Sequence, residues 1–302
     1  MKKENSKCHF CANCRGTGCI GELPGLGGFG GNINFKLNCA QWDVLAEKKE
    51  IIIALKEAEE RGLLNRTKLP KIRLAPITGA VENIGWPDEK TYYLEMIQAA
   101  ANAGINLSIG DGCPDIKLKS GIQAVRKVGK KAAVFIKPYP DKHIYERMEW
   151  ADSIAEIFGV DIDSYNILTM RHKVQLEKKT VQQLEEIKKH CKRPFAIKGV
   201  FNPEDIDLVS ELKPDIVYVS NHGGRVENRI GSTADFLAEY YKQLLNSCGQ
   251  LWIDGGIRKL RDIQIASLYG VSEILVGRPF ITALCNEGID GVAKEFNKMM
   301  TE

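Results

Sequence analysis

A histidine and an arginine lie three residues apart in the glycine-rich run SNHGGR at residues 220–225. A neutral imidazole that titrates near physiological pH can accept a proton, and a guanidinium can hold a carboxylate through two parallel hydrogen bonds. His222 and Arg225 are therefore candidates for acid–base chemistry on an anionic ligand. Lys198, in the run AIKG at residues 196–199, supplies a positive charge that can stabilise negative charge developing in a reaction.

Two further runs, DGGIR at residues 254–258 and VGRP at residues 276–279, are typical of a phosphate site. Glycines let backbone N–H groups approach phosphate oxygens, a helix N-terminus adds its dipole, and arginines add charge. The alternative is that these glycines only form tight turns. The candidate cofactor-binding residues in these two runs are Asp254, Gly255, Gly256, Arg258, Gly277 and Arg278.

Four cysteines crowd the beginning of the chain, at Cys8, Cys11, Cys14 and Cys19. Thiolates at such spacing indicate a tetrahedral metal site, either structural zinc or an iron–sulfur cluster, with reduced thiols or a regulatory disulfide as the alternatives. The following glycines satisfy a GxGxxG pattern at residues 25–30. No strand precedes that pattern, so it does not predict a dinucleotide site.

Composition excludes several classes of protein. The chain has 302 residues, 44% of them hydrophobic, and a formal net charge of +3 with both signs interspersed. This charge pattern argues against nucleic-acid and membrane surfaces. No segment approaches the roughly 18 consecutive apolar residues that cross a bilayer, so we expect a soluble, cytoplasmic protein.

From residue 71 onward, short β-rich runs alternate with amphipathic helical stretches, which predicts an α/β protein of the (β/α)8 TIM-barrel class. Such barrels carry their active sites at the C-terminal ends of the strands, where the runs above fall. We expect a cysteine- and glycine-rich head at residues 1–31 and one barrel domain at 32–302; an open doubly wound sheet is the alternative. The predicted strands span residues 71–77, 105–109, 132–139, 162–167, 194–200, 215–220, 250–254 and 273–277. The predicted helices include residues 42–60, 91–103, 143–158, 181–190, 204–212, 233–246 and 260–268.

The runs AIKG, VSNHGGR, DGGIR and VGRP, in this order, resemble the FMN-dependent 2-hydroxy-acid oxidase and dehydrogenase family. Weaker similarity extends back through LAPITG at residues 74–79 and LSIGDG at 107–112. The resemblance implies bound FMN and oxidation of a small 2-hydroxy acid to the 2-oxo acid. It also implies a homo-oligomer, with a tetramer expected, and an electron acceptor that can be another protein; a metal cluster in the head could then pass electrons on.

The resemblance also implies roles for individual residues. His222 would take a proton while a hydride passes to flavin N5, Arg225 would hold the substrate carboxylate, and Lys198 would lie beside the N1–C2=O edge of the flavin. Asp163 would orient the histidine, and Arg171 would be a second carboxylate-binding arginine. The remaining implied cofactor contacts are Ala75, Pro76, Ile77, Ser108 and Ser220.

Strand three departs from the family pattern, which there has a glutamine to the flavin and a tyrosine to the substrate. Lys137 and Tyr139 occupy this neighbourhood, and Lys137 predicts a larger or more anionic acid as substrate. A second substrate tyrosine, expected before the N-terminal glycines, is replaced by Leu23-Pro24-Gly25. These departures leave two alternatives: an FMN-dependent isomerase of the type 2 isopentenyl diphosphate isomerase kind, and a non-enzymatic flavin or metal redox sensor.

Overall fold

The computed structural model describes residues 33–81, 86–166, 170, 173–225 and 229–301. Eight parallel strands follow one another around a barrel in the order β1-β8-β7-β6-β5-β4-β3-β2. A single bridge between Arg73 and Asn106 joins β1 to the chain entering β2 and closes the ring. The strands are β1 (Lys71–Leu74), β2 (Ser108–Gly110), β3 (Ala132–Ile136), β4 (Ala155–Asp161), β5 (Phe195–Val200), β6 (Ile216–Val219), β7 (Gln250–Asp254) and β8 (Val271–Val276).

This order confirms the (β/α)8 barrel, because consecutive strands are neighbours around the ring rather than reversing as in a doubly wound sheet. Helices follow the strands and cover the outside of the barrel. They are α1 (Ile33–Ala46), α2 (Lys49–Glu60), α3 (Glu89–Asn102), α4 (Ile116–Lys127), α5 (Asp141–Ala151), α6 (Val181–His190), α7 (Pro203–Leu212), α8 (Thr233–Leu245), α9 (Leu260–Leu268), α10 (Arg278–Glu287) and α11 (Ile289–Met299).

Local signals set several helix starts. Thr180 and Gln183 form a reciprocal capping box at α6, and Pro203 occupies the first turn of α7 behind Asn202. The Ser232 side chain accepts a hydrogen bond from the Asp235 backbone N–H at the start of α8. These groups satisfy backbone donors that have no partner inside the helix, so the predicted starts of α7 and α8 are confirmed.

The predicted fourth strand, residues 162–167, is wrong. Strand β4 is Ala155–Asp161, and residues Ile162–Asn166 form a 3-10 turn. The predicted helix 143–158 accordingly ends at Ala151. The apolar residues at 154, 155, 157 and 158 fit either a helix or a buried strand. The segment is a strand because it pairs with β3 and β5.

The helix predicted at residues 42–60 is two helices, α1 and α2. Lys48 between them has an extended backbone, with φ −67° and ψ 131°, so the helical hydrogen bonding is interrupted there. Helix α1 packs beside α8, α9 and the turn after β6. The N-terminal helix therefore reaches the loops at the C-terminal ends of the strands.

Side chains fill the inside of the barrel. Phe135, Tyr218 and Trp252 are buried there, and the rings of Phe135 and Tyr218 meet edge to face with centroids 5.4 Å apart. A charged network lies nearer the N-terminal ends of the strands, where Arg73 pairs with Glu273 and with Glu156 at 2.8 Å. Among the described helices, none is long and apolar enough to cross a membrane.

We predict that Arg73→Met lowers the free energy of unfolding by about 3 kcal/mol, because it leaves the mostly buried Glu273 carboxylate without its partner. Urea denaturation followed by circular dichroism measures this change. The control is Arg193→Met, which removes an ion pair to the exposed Asp152 and should cost less than about 1 kcal/mol. Equal losses in both variants would contradict the structural role of Arg73.

Candidate active site

The C-terminal ends of β3 to β6 bring four ionisable side chains together at one rim of the barrel. Lys137 directly follows β3, Asp161 ends β4, Lys198 lies in β5 and His222 follows β6. Because all strands run in the same direction, their ends meet at the face where barrels of this type carry active sites. The structure thus brings together the predicted residues Lys137, Lys198 and His222.

Asp161 anchors two ammonium groups. Lys137 Nζ donates to Asp161 Oδ2 at 2.6 Å, and Lys198 Nζ donates to Asp161 Oδ1 at 2.7 Å, with all three side chains buried. Burial acts to raise the pKa of Asp161, but the two lysines outweigh it and hold this pKa well below its ordinary value. Asp161 is therefore ionised at neutral pH.

The turn that carries His222 is fixed by a buried pair of amides. Asn38 Nδ2 donates to Asn221 Oδ1 at 2.8 Å, and Asn221 Nδ2 donates to Asn38 Oδ1 at 3.0 Å. The same Asn221 Oδ1 accepts from the Gly224 backbone N–H at 2.9 Å. His222 and Gly223 have left-handed backbones, with φ 57° and 67°, which is uncommon for a histidine. Helix α1 thus helps to hold a turn that is unfavourable by itself.

The His222 ring lies against Asp163. Its Nδ1 is 3.2 Å from both carboxyl oxygens of Asp163 and 3.7 Å from Asp161 Oδ1. Burial, followed by the charges of Lys137 and Lys198, lowers the pKa of His222 well below its ordinary value. The ring is therefore neutral at pH 7. The hydrogen-bond network assigns its proton to Nδ1, so Nε2 is the atom that can accept another proton.

Asp163 sits where only a glycine neighbour allows it. A Cβ on Gly199, which has φ 95°, would lie 2.6 Å from the Asp163 carboxyl carbon. Burial and then the charge of Asp161 raise the pKa of Asp163 well above its ordinary value, and the two carboxyl groups share a hydrogen bond. The raised pKa favours a proton on Asp163 with the ionised Asp161 as its acceptor, and the same carboxyl group can then accept from His222 Nδ1–H.

Arg225 ends the same turn, three residues after His222. Its buried Nε has no hydrogen-bond partner among the residues that the structure describes. Burial, with the neighbouring charge of Arg278, lowers the pKa of Arg225, which still leaves a guanidinium charged at pH 7. Such a donor is suited to an incoming anion.

Buried polar atoms without partners also mark a place for a bound group. Asp254 Oδ2 accepts from Tyr218 Oη at 2.6 Å and from Ser220 Oγ at 2.9 Å, whereas Asp254 Oδ1 and Ser108 Oγ have no partner in the described part of the chain. Buried polar atoms are normally hydrogen-bonded. These two atoms therefore fit a ligand with hydroxyl and amide groups, such as FMN.

The glycines after β7 make close approaches to helix α1 and α8. A Cβ on Gly256 would lie 1.7 Å from the Asn38 backbone oxygen, and one on Gly255 would lie 2.4 Å from Thr233 Oγ1. Both have positive φ, 78° and 100°. Packing thus requires glycine here, a reason that the sequence did not reveal. The predicted contact of Gly255 and Gly256 with a phosphate stays a prediction.

The two arginines of the predicted phosphate site lie at neighbouring strand ends. Arg278 begins α10 directly after Gly277, stacks on the Phe35 ring at 4.1 Å and donates to the Gly223 backbone oxygen at 3.2 Å. The Arg258 side chain lies 3.9 Å from Cys39 Sγ. Both guanidinium groups therefore contact helix α1, through Phe35 and Cys39.

Some of the remaining predicted site residues lie in the described part of the chain, and others lie outside it. Ala75 and Ile77 follow β1 and pack on the cluster inside the barrel, and the Pro76 backbone oxygen lies 2.6 Å from where a Cβ of Gly110 would be. The predictions for Arg171 and for the metal-binding cysteines Cys8, Cys11, Cys14 and Cys19 lie outside the described residues.

Sequence reasoning missed Asp161, because the misplaced fourth strand hid its position at a strand end. It also missed Asn38, which no local pattern distinguishes from other polar helix residues. Asp161, Asp163 and His222 approach one another closely enough to hold a metal ion. Both oxygens of Asp161 already accept from ammonium groups, so its chemistry is that of a lysine partner.

Comparison with known proteins identifies the family. The profile of FMN-dependent dehydrogenases matches residues 85–302. The chain belongs to this family. Curated relatives include a 2-hydroxyacid oxidase of Dictyostelium discoideum, 35% identical over 123 residues that make up 41% of this chain and 31% of that protein. A cytochrome L-lactate dehydrogenase of Saccharomyces cerevisiae is 34% identical over 127 residues, 41% of this chain and 22% of that protein.

These matches span about a third or less of the relatives' length. Solved structures agree in fold. Mandelate oxidase with benzoyl-formic acid has a TM-score of 0.60 at 23% identity, covering 76% of this chain and 71% of that one. A mandelate oxidase variant with benzaldehyde has a TM-score of 0.62 at 21% identity, covering 88% of this chain and 92% of that one.

We predict that Gly199→Ala displaces Asp163 and destabilises the protein by about 3 kcal/mol, through a strained φ together with a steric overlap. Gly129→Ala is the matched control, because Gly129 has φ 65° and nothing within 4 Å of its Cβ position. It should cost only about 1 kcal/mol. Urea unfolding of both variants measures the difference, and equal costs would show that Asp163 does not occupy this space.

Proposed function

We propose that this protein uses FMN to oxidise a small 2-hydroxy acid to the 2-oxo acid. The observation that carries the proposal is a neutral His222 with Nδ1 on Asp163, three residues before an arginine whose Nε has no hydrogen-bond partner among the described residues. The relatives named as a 2-hydroxyacid oxidase and an L-lactate dehydrogenase support this oxidation over isomerisation.

His222 accepts the proton in this reaction. Its Nε2 takes the proton of the substrate hydroxyl, and the resulting imidazolium is held through Nδ1 by Asp163. Arg225 binds the substrate carboxylate, which places the hydroxyl-bearing carbon beside the ring. Arg171 is proposed as a second arginine for this carboxylate. The oxidation needs an acceptor for two electrons, and FMN supplies that chemistry when it is bound.

The chain's own residues would hold FMN around the rim. Lys198 and Ser108 would contact the ring system, Asp254 would accept from hydroxyl groups of the ribityl chain, and Arg258 and Arg278 would hold the phosphate. The unpartnered Ser108 Oγ and Asp254 Oδ1 support this assignment. Lys198 keeps its charge at neutral pH, because Asp161 raises its pKa against the effect of burial.

The fate of the electrons after oxidation of the acid is part of the same proposal. The relative named as a cytochrome-linked dehydrogenase supports a protein acceptor, which would receive electrons in place of oxygen. A homo-oligomer, with a tetramer expected, and a cytoplasmic location remain predictions from the sequence.

Anaerobic titration with glycolate, lactate and mandelate, followed through flavin absorbance, tests the proposed oxidation. We expect at least one acid to bleach the flavin. His222→Gln should retain FMN, and its rate of flavin bleaching should be about 10² to 10⁴-fold lower, since a positioned base contributes that much. Bleaching by dithionite but by none of a wide panel of hydroxy acids would contradict the proposal.

We predict that Arg225→Lys weakens binding of the 2-oxo acid product by about 10 to 100-fold, because a single ammonium replaces a two-pronged donor. The change of the flavin spectrum on adding the oxo acid reports the dissociation constant. Arg193→Lys is the control, since Arg193 pairs with exposed Asp152. Unchanged binding in Arg225→Lys would show that the carboxylate is held elsewhere.

A further inference from the structure

Five buried or half-buried ionisable groups form one continuous chain at the rim. Lys137 and Lys198 each occupy one oxygen of Asp161, at 2.6 and 2.7 Å. Asp161 shares a hydrogen bond with Asp163, and Asp163 lies 3.2 Å from His222 Nδ1. Lys137, in the neighbourhood where the family pattern has a glutamine and a tyrosine, is thus linked to the histidine through two carboxyl groups.

Occupancy of Asp161 decides which carboxyl group meets the histidine. Its oxygens both accept from ammonium groups, and its nearer oxygen is 3.7 Å from His222 Nδ1, beyond hydrogen-bonding distance. Asp163 is left as the acceptor for the ring. The lysines hold the pKa of Asp161 low, so the negative charge lies on Asp161. Burial and then the charge of Asp161 raise the pKa of Asp163, so a proton shared by the two carboxyl groups favours Asp163.

We infer that Lys137 is a positioning residue for the base: by sharing Asp161 with Lys198, it leaves Asp163 to hold His222 through Nδ1 and so presents Nε2 to the substrate. This inference rests on the proposed function for the identity of the base. It differs from the role of direct substrate contact that the sequence predicts for Lys137.

The position of Lys137 has a consequence for pH dependence. The groups that face His222 are Lys137 after β3, Asp161 and Asp163 at the end of β4, Lys198 in β5 and Arg225 on its own turn. Burial and the lysines lower the pKa of His222, and Asp161 opposes them. The neutral ring is the form that accepts a proton, so activity should persist below the ordinary histidine pKa and fall when the ring becomes protonated.

Removing the charge of Lys137 acts in one direction through two routes. The ring loses a repelling positive charge, and Asp161, left with Lys198 on Oδ1 as its ammonium partner, acts on the ring with more of its negative charge. Both raise the pKa of His222, so the acid limb of the pH profile should move up by about one pH unit. An Asp161 carboxylate released from Lys137 is freer to turn towards the ring, so the orientation of His222 and its preference for the Nδ1 proton weaken.

The test compares Lys137→Met, Lys137→Gln and Lys137→Arg in FMN-loaded protein with ¹⁵N-labelled histidine. Nitrogen chemical shifts report the tautomer and pKa of His222, whose signal is identified by its loss in His222→Gln. Anaerobic flavin reduction by the best acid of the panel is measured from about pH 5 to about pH 9, the range around a histidine pKa. Lys179→Met is the matched control, because Lys179 is also buried between two carboxylates, Asp141 and Glu177.

We expect the Met and Gln variants to raise the His222 pKa by about one unit and to move the acid limb with it. The maximal reduction rate should fall while the half-saturating acid concentration changes less than about twofold, and Lys137→Arg should restore the profile. Lys179→Met should leave the His222 pKa and tautomer unchanged. This pattern separates positioning from a general loss of a buried lysine.

A different pattern would overturn the inference. If Met and Gln weaken acid binding about tenfold and leave the tautomer and pKa of His222 unchanged, Lys137 contacts the substrate instead. If Lys137→Met does not fold, the uncharged but polar Gln variant decides. If no acid reduces the wild-type flavin, the proposed oxidation fails, and the nitrogen shifts of His222 still decide the role of Lys137.

Discussion

One carboxylate, that of Asp161, holds two ammonium groups that approach it from the strands on either side. Lys137 and Lys198 leave the barrel at the ends of β3 and β5, and Asp161 lies between them at the end of β4. Buried ammonium groups are costly unless they are paired and hydrogen-bonded. Asp161 gives both lysines a paired and hydrogen-bonded environment. Burial and then the charge of Asp161 raise the pKa of Asp163, whereas burial and then the two lysines lower the pKa of His222.

A second constraint comes from outside the barrel. The amide of Asn38 on α1 reaches the turn after β6 through Asn221, and its Oδ1 also accepts from the Thr233 backbone N–H at 3.0 Å. Trp42 Nε1 donates to the Gly255 backbone oxygen at 2.8 Å. Helix α1 therefore links the loops after β6 and β7, and the glycines after β7 are required because the helix lies so close. The turn that carries His222 and the glycine loop after β7 are thus both held by helix α1.

The repeating architecture could be predicted from sequence because each βα unit carries its own periodicity and capping residues. The strand ends that bear Lys198 and His222 followed from that pattern. Asp161 did not, because the apolar residues at 154–158 fit two periodicities and the choice depends on pairing with β3 and β5. Which carboxyl group meets His222 depends on lysines that lie about 24 and 37 residues away from Asp161 in sequence. Local pattern holds no information about such contacts.

Strand β3 shows how the departure from the family pattern is accommodated. Phe135 points into the barrel against Tyr218, and Tyr139 lies under the Arg147 guanidinium at 4.1 Å. Of the two residues in this neighbourhood, Lys137 and Tyr139, Lys137 is the one that reaches the charged cluster. The ammonium group of Lys137 adds positive charge beside the base, which favours a neutral histidine and an anionic ligand together. A substrate that enters as a carboxylate and gives up its proton to a neutral ring would satisfy both conditions, as the proposed oxidation of a hydroxy acid requires.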